Sequence, residues 1–263
     1  MNRLAVDPQW ITIQVAGGDL RGYLASPNVP PPWPALLILH PVVGVSPQIQ
    51  EIVRSFAAQG YLTLAPDLYT NDAAYQQLDV VDITLAHMRP SEPGFEEHIA
   101  SIPEPQRTRV LAARQWMSNR PKGHYVDGVH GAFRYFESRS DVERIGCVGY
   151  CQGGELTGAL AARGVDLAAG VIYYGKSPKS DDVKKIRGPL EGHYGVTDRH
   201  ITESVYDFAL AMHANGRHFA YSVYDAAHGF NDDPPARGHN PEAARQARER
   251  TDAFLAECLR PNG

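Results

Sequence analysis

The feature that most restricts what this chain can fold into is a series of short apolar runs separated by helical stretches. "ALLILH" (35–40), "RIGCVGY" (144–150) and "LAAGVIYYG" (167–175) are nearly continuous in apolar residues. A strand with one wet face alternates polar and apolar residues. A strand that is apolar on both faces is covered on both, as in a parallel sheet flanked by helices. The first crossover is legible in detail. "SPQIQEIVRSFAAQG" after "ALLILH" reads as a helix, with Ser46 as N-cap, Pro47 at the first helical position and Gly60 at the stop. "YLTLAPDLY" then supplies a strand ended by Pro66. Strand, helix, strand predicts an α/β fold: a mostly parallel central sheet with helices on both faces.

The remaining segments extend the pattern. "WITIQVA" and "LRGYLAS" read as two strands joined at Gly17-Gly18-Asp19, and "LEGHYGVTD" and "RHFAYSVYD" as two more. Helices are expected at "QRTRVLAARQWMSN", "HYVDGVHGAFRYFESR", "GELTGALAARG", "ITESVYDFALAMHANG" and "PEAARQARERTDAFLAECL". From about 71 to 105 the alternation weakens, and proline and acidic residues are frequent. Excursions of this length serve as a lid or cap over a site, or as a long connection. With no internal repeat and no second core pattern, one domain over 1–263 is expected.

Composition removes several function classes. The chain has 43% hydrophobic and 21% charged residues, as in ordinary globular proteins. Its net charge is −5 and it has no long basic block, so no nucleic-acid partner is expected. No stretch approaches the roughly 18 apolar residues of a membrane helix, so no membrane partner is expected either. "MNRLAVDPQW" lacks the apolar core of an export signal, and the three cysteines are too few and too scattered for a disulfide framework. Both point to a cytoplasmic location. Oligomeric state has no signature in the sequence.

Of the three cysteines, Cys147 lies inside a strand and Cys258 in an amphipathic helix, positions suited to buried filler. Cys151 is different. It stands in "GYCQGG", between an apolar strand and a helix. This is the context of a nucleophile elbow, in which small residues two before and two after let strand and helix approach closely. The side chain is then held at the carboxyl end of the sheet, and the helix N-terminus favours a thiolate. The N–H of Gln152 would point at an oxyanion beside the sulfur. A buried structural cysteine and a zinc ligand remain alternatives. No second cysteine lies two to four residues away on the same turn to support zinc.

A nucleophile elbow is followed in chain order by an acid and then a histidine. Asp198 ends "HYGVTD", past an apolar strand, and His228 follows the last strand in "AAHGFNDD". Each has a plain alternative, a helix N-cap for Asp198 and a surface loop histidine for His228. A metal cluster of His193, Asp198, His200 and His228 is a third arrangement of the same residues. His87 and the other histidines have no partner identifiable in the sequence.

Together, "GYCQGG", "GYLTLAPDLY", "HYGVTD", "AAHGFNDD" and the closing "NPEAARQARERTDAFL" resemble the dienelactone hydrolase family, the cysteine branch of the α/β-hydrolases, from about Trp10 to Leu259. The resemblance implies the α/β-hydrolase fold and a Cys151–His228–Asp198 triad. It implies oxyanion donors at the N–H groups of Val42 and Gln152, and hydrolysis of a small ester or enol-lactone through a thioester, without cofactor or metal. Two positions depart from the family. Members that cleave dienelactone carry a Glu after the strand equivalent to "LLILH"; here Pro41 stands there, and proline accepts no proton. They also carry an Arg four residues after the histidine, which holds the substrate carboxylate; here that residue is Asp232, with Arg237 out of register. Two rival readings keep the fold: a lyase, isomerase or cyclase using Cys151 and His228 for acid/base or transient covalent chemistry, and a binding protein without catalysis.

Overall fold

The computed structural model describes residues 4–87, 94–120, 122–232 and 238–260. Eight strands form one sheet: β1 (Val6–Val15), β2 (Gly18–Pro27), β3 (Trp33–Leu39), β4 (Leu62–Pro66), β5 (Val142–Tyr150), β6 (Ala169–Tyr173), β7 (Leu190–Gly195) and β8 (Phe219–Tyr224). Their spatial order is β1-β2-β4-β3-β5-β6-β7-β8. β2 is antiparallel to both its neighbours, and every pairing from β4 to β8 is parallel.

Period-two geometry sorts the apolar residues of β3 to opposite faces. Ala35, Leu37 and Leu39 join one core layer, while Leu36 and Ile38 join the other. All five are fully buried, as the uninterrupted run requires. Helices α1 (Pro47–Ala57) and α9 (Pro241–Leu259) cover one face with Val53, Phe56 and Leu255. Helices α5 (Lys122–Glu137), α6 (Gln152–Ala161) and α8 (Val205–Ala214) cover the other with Phe133, Leu160 and Met212. The hydroxyl of Ser46 caps α1 by accepting from the Ile49 N–H, and Gly60 has φ +99°, so both signals read at these positions are used.

Two expectations need correction. The stretch "ITESVYDFALAMHANG" is not one helix. A single turn, α7 (Arg199–Thr202), precedes α8, because the Thr202 hydroxyl bonds back to the Gly195 carbonyl (2.8 Å) and Ser204 bonds to the Ile201 carbonyl (2.9 Å). Residues 71–105 are also more structured than their composition indicates. The part described holds a 3₁₀ turn (Tyr75–Gln77), α2 (Val80–Leu85) and α3 (Phe95–Ser101). α2 is fastened to α4 (Gln106–Asn119) through Asp82, which is buried and ion-paired to Arg109 (2.8 Å), and Ile83 and Ala86 enter the core.

α6 meets β3 with no room for a side chain at Gly153. A Cβ on Gly153 would fall on the Leu39 carbonyl, whereas one on Gly17, in the β1–β2 turn, would meet nothing within 4 Å. Overpacking at a site with only backbone around it costs about 1–3 kcal/mol or more. Gly153→Ala should therefore lower the thermal midpoint by at least several degrees, while Gly17→Ala should be nearly silent; equal melting curves for the two would contradict this packing.

Candidate active site

Strand β5 ends at Tyr150 and α6 begins at Gln152, so Cys151 alone makes the turn. Its backbone, φ 55° and ψ −114°, lies where non-glycine residues seldom go; Tyr174 is the other such residue among those described. Conformations of this kind cost about 1–3 kcal/mol each and persist only where the surroundings impose them. Here the surroundings are explicit. The Cys151 N–H donates to the Tyr173 carbonyl (3.0 Å), and Gly149 lets β5 pass directly under the Gly153 carbonyl. Gly154 passes the Tyr173 carbonyl and Gly175 in the same way.

Asp198 and His228 reach the same edge of the sheet from β7 and β8. Their loops are tied together: the Val196 N–H donates to the Tyr224 carbonyl (2.8 Å), and the Thr197 hydroxyl to the Ala226 carbonyl (3.0 Å). A Cβ on Gly195 would strike the Ala226 carbonyl at 2.5 Å. Asp198 does occupy the N-cap position of α7, but its side chain makes no capping bond there. It takes instead the Nδ1 of His228 at 2.6 Å, and His228 Nε2 lies 3.1 Å from Cys151 Sγ. Sulfur, imidazole and carboxylate thus form one hydrogen-bonded relay. Asp198 is buried and His228 is about a quarter exposed. His193 and His200 are not part of it. His193 is buried between the Tyr224 and Thr251 hydroxyls (3.0 Å each), and His200 is exposed.

The electrostatics follow from this geometry. Burial by itself would push the Cys151 thiol up, but the charge and hydrogen bond of His228, followed by those of His87, hold it well below the usual thiol range. Burial likewise disfavours a charged His228, yet the Cys151 thiolate and the Asp198 carboxylate raise it to about 10. Both directions favour a thiolate–imidazolium pair, and each rests on the charge of the other group, so they belong to the pair and not to either residue. Cys147 shows the contrast. Fully buried with only the Thr157 hydroxyl at 3.3 Å, it is pushed up to about 12.

Pro41 and Val42 follow β3 on the neighbouring strand. The Gly44 N–H closes a turn on the Pro41 carbonyl (3.1 Å), with Val42 at its corner. Leu39 pairs with Gly149, so Val42 and Cys151 leave adjacent strands at the same edge. Gln152 opens α6, where the helix supplies no acceptor for its N–H. A chain of buried side chains joins these two segments. His40 Nε2 accepts from the Leu68 N–H (3.2 Å), His40 packs on Tyr69 at 4.9 Å between ring centres, and the Tyr69 hydroxyl accepts from Gln152 Nε2 (3.0 Å).

Of three neighbours of the sulfur, His87 and Tyr174 were not recognisable in the sequence, and Asp232 was marked only by its register after His228. His87, at the end of α2, brings a ring nitrogen within 4.8 Å of both Cys151 Sγ and a His228 nitrogen, correcting the expectation that it lacks a partner. No motif marks it, because it comes from the excursion and only tertiary packing carries it here. Tyr174 lies against His228 (5.0 Å between ring centres) and donates to Asp232 (3.2 Å). Asp232 is pushed up to about 6 by burial, then by the charge of Cys151. Arg237 lies outside the described residues. His87, Cys151 and His228 are also the one trio of metal-ligand type among the described residues; a cation could span them only by displacing the hydrogen bond between Cys151 and His228. A surface cleft lined by Ile145 and Leu167 lies at the opposite end of β5 and β6, away from this relay.

If the pair is ionised at rest, alkylation of Cys151 by iodoacetamide should follow a thiolate fraction whose midpoint falls clearly below the free-thiol value of about 8.5. Reactivity should decline as pH falls through that midpoint, because protonation of the sulfur removes the nucleophile. Cys147 and Cys258 should label more slowly. A Cys151 midpoint at or above the free value would show that the thiol is neutral at rest.

With this geometry in view, comparison with known proteins gives a consistent result. Residues 20–259 match the model of the dienelactone hydrolase family. A protein of Saccharolobus solfataricus named "Putative carboxymethylenebutenolidase" is 28% identical over 247 residues, covering 91% of this chain and 94% of its own length. One of the same name from Methylorubrum extorquens is 28% identical, with 85% of this chain and 72% of its own covered. Among solved structures, a protein described as a putative dienelactone hydrolase from Klebsiella pneumoniae superposes with TM-score 0.73 at 25% identity, covering 96% of this chain and 99% of its own. The chain therefore belongs to the dienelactone hydrolase family and is a hydrolase of the α/β-hydrolase fold.

Proposed function

We propose that the protein hydrolyses a small ester or lactone through a thioester on Cys151. The observation that carries this reading is the relay from Cys151 Sγ to His228 (3.1 Å) to Asp198 (2.6 Å) at a strained elbow. The thiolate attacks the carbonyl carbon, and the carbonyl π pair moves to oxygen. The N–H groups of Val42 and Gln152 serve as donors to that oxyanion. Collapse breaks the C–O bond, and the leaving oxygen takes the proton held by His228. Water then attacks the thioester, giving its proton to His228, and the thiolate is expelled. Each step uses groups of this chain, a small-molecule substrate and water. A thiolate is a good leaving group, so esters and enol-lactones suit this nucleophile better than amides.

Aryl esters and enol-lactones should be cleaved by the intact protein, and incubation with an activated ester should add one acyl mass to Cys151. Cys151→Ala should remove both, and His228→Ala should lower kcat by about 10²–10⁴ with the melting curve retained. Turnover that survives Cys151→Ala would overturn the reading and favour acid/base chemistry without acyl transfer.

The half-buried carboxylate of Asp232 supports a substrate without a negative charge near its acyl carbon. Neutral esters should be preferred over esters of dicarboxylates, and Asp232→Asn should narrow that preference by about tenfold, or about 1.4 kcal/mol. An unchanged ratio of the two kcat/KM values would place the carboxylate outside the substrate's field.

A further inference from the structure

Catalysis by the relay leaves one imidazole at the sulfur without a task. A His87 ring nitrogen lies within 4.8 Å of Cys151 Sγ, and its ring centre is 6.0 Å from that of His228. Its placement is built rather than incidental. Asp82 pins α2 to Arg109 on α4 (2.8 Å), Ile83 and Ala86 are buried, and the carbonyls just before His87 are held from two directions. Arg114 donates to the Ala86 carbonyl (3.0 Å), and His98 Nε2 lies 2.9 Å from the Leu85 carbonyl. The 3₁₀ turn of the same excursion is tied to the turn after β3, since the Tyr75 hydroxyl donates to the Val43 carbonyl (2.9 Å). His87 itself is exposed, so it stands between the sulfur and solvent.

Resting on the hydrolase reading above, we infer that His87 is a second catalytic imidazole, contributed by the 71–105 excursion, whose N–H hydrogen-bonds the sulfur of Cys151 and stabilises it as the group expelled in deacylation. The charge on sulfur changes through the cycle. In the acyl-enzyme the sulfur is a neutral thioester and accepts weakly. When water has added to the carbonyl and the C–S bond breaks, the electron pair of that bond returns to sulfur as a thiolate. A donor already aimed at the sulfur strengthens its hydrogen bond as that charge appears, so it lowers the barrier to thiolate departure. His228 is occupied at that moment with the proton of the attacking water. Two imidazoles thereby divide the work: His228, oriented by Asp198, moves the proton, and His87 receives the charge. Glu155, the acid nearest in sequence to Cys151, is exposed on α6 and has no bond to the sulfur.

The test compares His87→Ala, His87→Phe and His87→Gln, the last keeping an N–H donor without a titrating base. With 4-nitrophenyl acetate, nitrophenolate release reports acylation and the later steady rate reports deacylation. The Ala and Phe variants should keep a burst near one equivalent per active site while the deacylation rate falls on the order of 10–100-fold, the range for a hydrogen bond to a charged group. His87→Gln should recover most of it. Independently of any ester turnover, the pH midpoint of Cys151 alkylation should rise in the Ala and Phe variants and recover in Gln. The charged or titrating groups facing the sulfur in that titration are His87, His228 with Asp198 behind it, Asp232 and the Tyr174 hydroxyl. Wild-type deacylation and an unmoved alkylation midpoint in folded Ala and Phe variants would overturn the inference. Equal losses in Gln and Ala would overturn it too, by showing that His87 acts as a base. Absence of ester turnover in the wild type would instead sink the hydrolase reading, and the alkylation profiles would still decide whether His87 bonds the sulfur.

Discussion

The close approach of α6 to β3 and β5 is the constraint on which the rest of this structure depends. It is possible only because Gly149, Gly153 and Gly154 present no side chain to the backbone they pass. With helix and strand at that distance, one residue must turn the chain, and it must do so at positive φ. Cys151 is that residue. The strain it carries is offset by the hydrogen bond from its N–H to Tyr173 and by core packing on both faces of the sheet. The result is a sulfur raised at the carboxyl edge of a rigid sheet, next to the first turn of a helix.

That rigidity makes the electrostatics work. Burial alone pushes a thiol up and keeps it neutral, as at Cys147. Cys151 is held low because a histidine with a buried carboxylate behind it is fixed at hydrogen-bond distance. The two loops that carry them are bonded to each other through Val196, Thr197, Tyr224 and Ala226 before either touches the sulfur. Where the family's dienelactone-cleaving members have a carboxylate in the turn after β3, this chain has Pro41, and a second imidazole comes to the sulfur from α2. The nearby charge of Asp232 adds a further difference in what the site would accept.

Much of this was legible in the sequence, and for a definite reason. Short continuous apolar runs followed by helix signals fit strands covered on both faces, so "ALLILH" and "RIGCVGY" announced the parallel sheet. "GYCQGG" between strand and helix singled out Cys151, because the glycine spacing is itself the steric requirement of the turn. Asp198 and His228 could be placed because each follows a strand whose end lies on a known edge. The sequence left each of them with a plain alternative. The Asp198 side chain bonds His228 and makes no N-cap bond, a choice that depends on where a loop 30 residues away is folded.

What only the tertiary structure decided lies where local pattern carries no information about direction. The 71–105 segment has short helices whose burial is settled by Asp82, Ile83 and Ala86 packing against α4 and the core, and nothing in its proline-rich text says which way α2 points. His87 therefore reads as an ordinary surface histidine until α2 is docked. Asp232 is marked in the sequence only by its register after His228, and its contact is decided where Tyr174, itself at positive φ, donates to it beside His228. The sequence by itself determined the sheet, the elbow and the strand ends that carry Cys151, Asp198 and His228, because those depend on sterics within a few residues. The company the sulfur keeps was decided by packing between segments distant in the chain, since the field at a single atom is set by whatever side chains the fold brings within a few ångströms of it.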